Sequence, residues 1–239
     1  MNKIIDNLKI KIFADGANKQ DMFDLSKYEY IKGLTTNPTL MAKAKIDNYE
    51  EFALSILKEI KEKPISFEVF ADDFNEMERQ ARVINSWQSN VYVKIPITNT
   101  KKESCSTLVK KLTADGIKVN VTAIMTVDQV KEVSKVLNPE VPSYVSIFAG
   151  RIADTGKDPL KTVGSAIDIL KDNSVSEIIW ASPRELLNLF QANDIGCHAI
   201  TITTDLINKF RLLDYSLEEY SLDTVKMFYN DALKSGFKI

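Results

Sequence analysis

A single histidine, His198, is all that 239 residues provide. Acid–base chemistry must then fall mostly to carboxylates, a lysine, or water that they hold. Two cysteines, Cys105 and Cys197, are too far apart for a metal-ligand spacing and make no disulfide framework, so a reducing cytoplasm is the expected setting. No run approaches the ~20 apolar residues of a membrane span. The start, MNKIIDNLKIKIF, interleaves charge with apolar residues and holds no signal-type core. Neither sign of charge dominates: the formal net charge is −2, without the basic footprint that a nucleic acid or anionic membrane would require. Linkers rich in glycine, proline or serine are missing as well, so residues 1–239 read as one domain.

What is present is alternation. Short apolar runs occur at 11–15, 33–37, 65–70, 91–97, 118–124, 144–150, 177–182 and 199–203. Between them lie amphipathic segments at 19–26, 49–61, 76–85, 103–114, 127–137, 160–171 and 185–193, with apolar residues at helical spacing, as in Phe52, Ile56, Leu57 and Ile60. Asn75, Pro159 and Pro183 suit helix starts. Eight strand–helix repeats at roughly 30 residues each predict an α/β protein with a single (β/α)₈ TIM barrel. The rival, an open doubly wound sheet, usually carries a glycine-rich turn after its first strand, and FADGANK is not one. Two further helical patterns, at 204–213 and 221–234, leave one extra C-terminal helix.

Side chains alternate between the faces of a strand, so parity sorts each run into lumen and helix-facing sets. In VYVKIPI the Val91, Val93, Ile95 and Ile97 set faces the helices, which turns Tyr92 and Lys94 inward. The same rule turns Ser66, Glu68, Phe70, Asn120, Thr122, Ser146 and Phe148 inward and Ala123 outward, while Asp15 and Asn37 close their strands. His198 precedes its strand, at the non-catalytic end, and reads as structural. Taken singly, a strand lysine more often snorkels than reacts, and a glutamate often merely pairs. Successive central strands that all turn polar groups inward are harder to dismiss, because stability alone would fill a barrel with Val, Ile and Leu.

Metal-ligand spacing, a dinucleotide loop and a Ser–His pair are all lacking, so no metal or cofactor is expected. Lys94 is the strong nucleophile that remains. Sequestration inside a barrel disfavours its ammonium, and the neutral amine can form an imine with a ketone, an electron sink for breaking or making a C–C bond. The proton relay falls to Asp15 or Glu68, through a water held by Thr122.

The motifs FAD (13–15), GLTTNP (33–38), FEVFA (67–71), VKIP (93–96), NVTAI (120–124), SIFAGR (146–151) and ASPR (181–184) resemble those of the transaldolase family of Schiff-base aldolases, in its short form. The resemblance runs from about Lys11 to Thr203. It implies that Lys94 forms the Schiff base, that Asp15 is the acid/base group, and that Glu68 and Thr122 hold the catalytic water. Thr35, Asn37, Asn120 and Ser146 would contact substrate hydroxyls, and Arg151, Ser182 and Arg184 the sugar phosphate. Fructose-6-phosphate aldolase-type members carry Gln at the Glu68 position and Tyr at the Phe148 position, so Glu68 and Phe148 favour transfer of a dihydroxyacetone unit over its release. Pro183 and Ile147 depart from the commoner family residues without removing a reacting group. A barrel that binds phosphosugars without turnover is the alternative from another class. The stripe Leu222, Val225, Phe228, Tyr229 and Leu233 is compatible with packing on its own barrel. The resemblance implies instead a ring-like homo-oligomer, pentamer or decamer, that uses the last helix.

Overall fold

A computed structural model describes residues 3–173 and 175–239. Eight parallel strands close into a barrel in chain order: β1 Lys11–Asp15, β2 Ile31–Thr35, β3 Ile65–Glu68, β4 Val91–Pro96, β5 Val119–Ile124, β6 Ser143–Ile147, β7 Ser176–Trp180 and β8 Ala199–Thr203. The helices are α1 Lys3–Asp6, α2 Lys19–Ser26, α3 Pro38–Lys43, α4 Tyr49–Glu59, α5 Phe74–Ser86, α6 Ser106–Ala114, α7 Val127–Ser134, α8 Ala149–Asp154, α9 Pro159–Leu170, α10 Leu187–Asp194, α11 Thr204–Ile207 and α12 Leu217–Ser235. The expected (β/α)₈ architecture is therefore present. None of the described helices is long and apolar enough to cross a membrane.

Helix starts follow side-chain chemistry. Asn18, Asn37, Asn48 and Thr126 each accept a backbone N–H from the first turn of the helix that follows, and Pro38 and Pro159 occupy opening positions where no N–H is needed. Two expected starts move. Asp73, not Asn75, caps α5, because its carboxylate reaches the N–H groups of both Asn75 and Glu76. Pro183 lies in the loop before α10.

The barrel wall is apolar on its outer side, where Val91, Val93, Ile95, Val119 and Val121 are fully buried against the helices. Its lower lumen is plugged. Phe13, Tyr144, Ile179 and Ala199 form a separate buried cluster with Tyr92 packed on it, and the Phe13 and Tyr144 rings meet edge to face at 5.5 Å. Glu68, Lys94, Asn120, Thr122 and Ser146 lie above this plug, toward the carboxyl ends of the strands.

Strand ends were less predictable than strands. β2 lies two residues earlier than the run GLTTN indicates, because Asn37 leaves the sheet to cap α3. β3 stops at Glu68, so Phe70 does not enter the lumen; it is exposed and packs against Tyr49 at 5.4 Å. The β5–β6 register shifts between Val121 and Ile124, and Ala123, at φ 61, turns toward the lumen instead of the helix layer. The 204–213 pattern divides into α11 and a 3₁₀ turn at Asn208–Leu212, since Asn208 ends the α-helical stretch after one turn.

Gly33 on β2 makes the plug possible: a Cβ there would lie 2.8 Å from the Phe13 ring. Gly33→Ala should destabilise the barrel by about 1–3 kcal/mol through overpacking, read as a lower urea midpoint with an unchanged slope.

Candidate active site

Register puts the polar residues side by side. Glu68 on β3 pairs with Lys94 on β4, Lys94 with Asn120 on β5, and Pro96 with Thr122. Across the barrel, Asp15 on β1 lies beside Thr35 on β2 and Thr203 on β8. These residues open into a cavity of about 450 Å³ at the carboxyl ends of the strands. Asp15, Thr35, Asn37, Glu68, Lys94, Asn120, Thr122, Ser146, Phe148, Arg151, Ser182 and Arg184 all line it.

Lys94 is 6% exposed, so its amine has left bulk water. Two acceptors offset the desolvation. Nζ donates to the Thr36 carbonyl at 3.0 Å and lies 3.2 Å from the Glu68 carboxylate. Asn120 is held on both sides of its amide, donating to Ser66 Oγ at 3.0 Å and accepting from Ser146 Oγ at 2.7 Å. One N–H of that amide is left over for a ligand. Thr122 Oγ1 is buried and has no hydrogen-bond partner among the described residues.

Asp15 accepts from Thr35 Oγ1 at 2.8 Å, and Thr35 Oγ1 also contacts Thr201 Oγ1 at 2.5 Å. Burial raises the Asp15 pKa above the usual carboxylate range; the Lys94 amine and the Thr35 hydrogen bond oppose the shift, and the Glu68 charge adds to it.

The basic rim is built differently. Arg184 binds Asp154 with both arms of its guanidinium, Nε to Oδ1 at 3.1 Å and Nη2 to Oδ2, which holds the Asp154 carboxyl below its usual range. Arg151 stands over the Phe148 ring, 5.9 Å from its centroid. The segments bearing these arginines are keyed together at Gly150, where a Cβ would lie 1.6 Å from the Ser182 carbonyl oxygen. Ser182 itself is at φ 60, the left-handed region.

Some wall residues were not anticipated. Thr201 and Thr203 come from AITIT, where parity would have turned both inward, and Thr201 completes the hydroxyl chain to Asp15. Ala123 arrives through the bulge, and Pro38, Thr39 and Leu40 through the unexpected helix α3. His198 sits at the opposite end, its Nδ1 accepting from the Ile178 N–H at 3.1 Å, in keeping with a structural role.

The Asp15 shift fixes a sign for stability. A carboxyl whose folded pKa is raised contributes stability below its unfolded pKa, near 4, and that contribution is lost as pH rises through the folded value. Asp15→Asn should therefore melt at a higher temperature than the parent at pH 7 to 8, with the gap closing below about pH 4, as calorimetry across pH would measure.

Residues 12–239 match the family described as Transaldolase/Fructose-6-phosphate aldolase. A "Probable transaldolase" of Thermoanaerobacter sp. (strain X514) is 31% identical over 231 residues, covering 96% of this chain and 100% of that protein. A "Probable transaldolase 2" of Listeria monocytogenes is 34% identical over 218 residues, covering 90% of this chain and 95% of its own. A "Probable transaldolase" of Nitrosopumilus maritimus is 32% identical over 216 residues, covering 90% and 92%. Matches of this extent, on a barrel whose cavity gathers the motif residues, mean that the chain belongs to the transaldolase/fructose-6-phosphate aldolase family.

Proposed function

We propose that this chain is a transaldolase of the pentose phosphate pathway, working in the cytoplasm through a Schiff base on Lys94. The observation that carries this reading is the sequestered amine, with the Glu68 carboxylate at 3.2 Å and the cavity open above it. Lys94 Nζ, once its proton has passed to a neighbouring carboxylate, attacks the C2 ketone of fructose 6-phosphate or sedoheptulose 7-phosphate. Loss of water gives the imine, with Glu68 and the free Thr122 hydroxyl holding that water. Asp15 takes the C4 hydroxyl proton, the C3–C4 bond breaks, and the aldose phosphate leaves. The bonding electrons pass into the imine, and the resulting enamine adds to the aldehyde of an acceptor such as erythrose 4-phosphate. Hydrolysis then frees Lys94.

Binding groups are disposed to suit a sugar phosphate. Thr35, Asn37, Asn120 and Ser146 meet hydroxyls within the cavity, and Asn37 keeps its amide N–H₂ free because only its Oδ1 is used, by the Leu40 N–H. Arg151, Ser182 and Arg184 take the phosphate at the rim, where Asp154 holds the Arg184 fork until an anion competes for it. Glu68 and Phe148 favour retention of the three-carbon unit over its release as free dihydroxyacetone.

Borohydride added with fructose 6-phosphate should fix substrate mass on Lys94, read by peptide mass spectrometry. Folded protein without that adduct ends the proposal. Glu68→Gln should lower kcat by about 10²-fold, measured with fructose 6-phosphate and erythrose 4-phosphate together. Equal turnover without the acceptor, releasing dihydroxyacetone, would make the enzyme an aldolase instead. The Lys94–Glu68 pair also favours a second reading, a phosphosugar-binding barrel whose lysine stays charged; binding of fructose 6-phosphate with no adduct and no turnover is its signature.

We also propose that α12 joins copies of this chain into a ring-like homo-oligomer, a pentamer or decamer. The helix has no buried residue, and Leu222, Val225, Phe228, Tyr229 and Leu233 are 45–64% exposed, an apolar stripe left largely open. Sedimentation equilibrium should return a multimer for the parent and a monomer for Val225→Glu with Phe228→Glu.

A further inference from the structure

The backbone of Glu68 faces a break in the sheet. In a parallel pair, alternate residues of a strand turn both N–H and C=O toward the same neighbour. Pro64 and Ser66 turn toward β2, accepting from the N–H groups of Leu34 and Thr36, whereas Ile65 and Val69 donate toward β4. Glu68 therefore turns toward the place β2 would occupy if it continued. β2 has ended at Thr35, and the chain has bent away so that Asn37 can cap α3.

One phenol fills that place. The Tyr49 hydroxyl accepts from the Glu68 N–H at 2.8 Å and donates to the Glu68 carbonyl at 2.8 Å. A tyrosine oxygen has one proton to give and lone pairs to accept with, so a single atom satisfies both groups that a continuing neighbour strand would have paired. The hydroxyl is itself fixed. Tyr49 opens α4 directly after its Asn48 cap, and its ring lies 6.4 Å from Phe67 and 6.0 Å from Trp87.

We infer that Tyr49 is a positioning residue: by fixing the two peptide planes that flank the Glu68 Cα, it sets the direction from which the Glu68 carboxylate meets the Lys94 amine. The inference rests on the role proposed above for Glu68. Tyr49 lies outside the cavity wall, on the far side of β3 from the substrate, and acts only through the backbone it grips. Its hydroxyl thus lets β2 end early enough to deliver Asn37 without loosening Glu68.

The test is a double-mutant cycle. Tyr49→Phe keeps the ring and removes the clamp. It should lower kcat about 10- to 100-fold with KM for fructose 6-phosphate nearly unchanged. In a Glu68→Gln background the same substitution should cost less than about twofold. An equal loss in both backgrounds, or none in either, overturns the inference. A crystal structure of Tyr49→Phe reads it without turnover: the carboxylate should leave Lys94 Nζ, and a separation still near 3.2 Å refutes the clamp. Failure of the parent to trap donor on Lys94 would instead defeat the proposed function while leaving that structural result intact. Should Tyr49→Phe not fold, amide exchange in the parent decides. The Glu68 N–H should be as protected as that of Phe67, and exchange at the rate of an open loop rules the clamp out.

Discussion

Keeping one amine inside a closed barrel is the constraint on which the rest of the site depends. An ammonium removed from water is costly unless acceptors meet it, and here they are the Thr36 carbonyl and the Glu68 carboxylate. Both come from the β2–β3 side of Lys94, which is why the local geometry of those two short strands matters more than their four or five residues would suggest. The opposite side is given to Asn120, whose amide is braced by Ser66 and Ser146 and so presents a fixed N–H to the cavity. Across the lumen from Lys94, the Thr35 hydroxyl links Thr201 to the Asp15 carboxyl.

Packing and chemistry are separated by height within the barrel. Aromatic rings fill the lower lumen, so the stability of closure does not rest on the polar residues above. That division permits a site rich in groups that would weaken a core. It also explains the raised pKa of Asp15, which stands at the boundary between the apolar plug and the open cavity.

How much of this was legible in sequence depends on the range of the forces involved. Period-two alternation reports the pleat directly, so the inward set from Glu68, Lys94, Asn120, Thr122 and Ser146 could be read from four short runs. Termini of strands are set by competition between ladder bonds and helix caps, and this hid the early end of β2, the exposure of Phe70 and the turning of Ala123. Thr201 and Thr203 carried the same parity signal as the others and were simply open to the same reading. Tyr49 carried none: its partner Glu68 is 19 residues away, and only the fold brings a phenol to the gap. The Arg184–Asp154 fork is equally long-range, joining the loop after β7 to a short helix after β6.

The rings of Phe13, Tyr92 and Tyr144 fill the lower lumen, and the cavity that holds Lys94 opens at the carboxyl ends of the strands. Under the proposed reaction, a departing aldehyde and its replacement share that opening, so the first has to clear before the second enters. Kinetics of the ping-pong kind are then a matter of plumbing as much as of covalent chemistry. The lifetime of the loaded lysine between the two visits becomes the interval in which water competes with the acceptor.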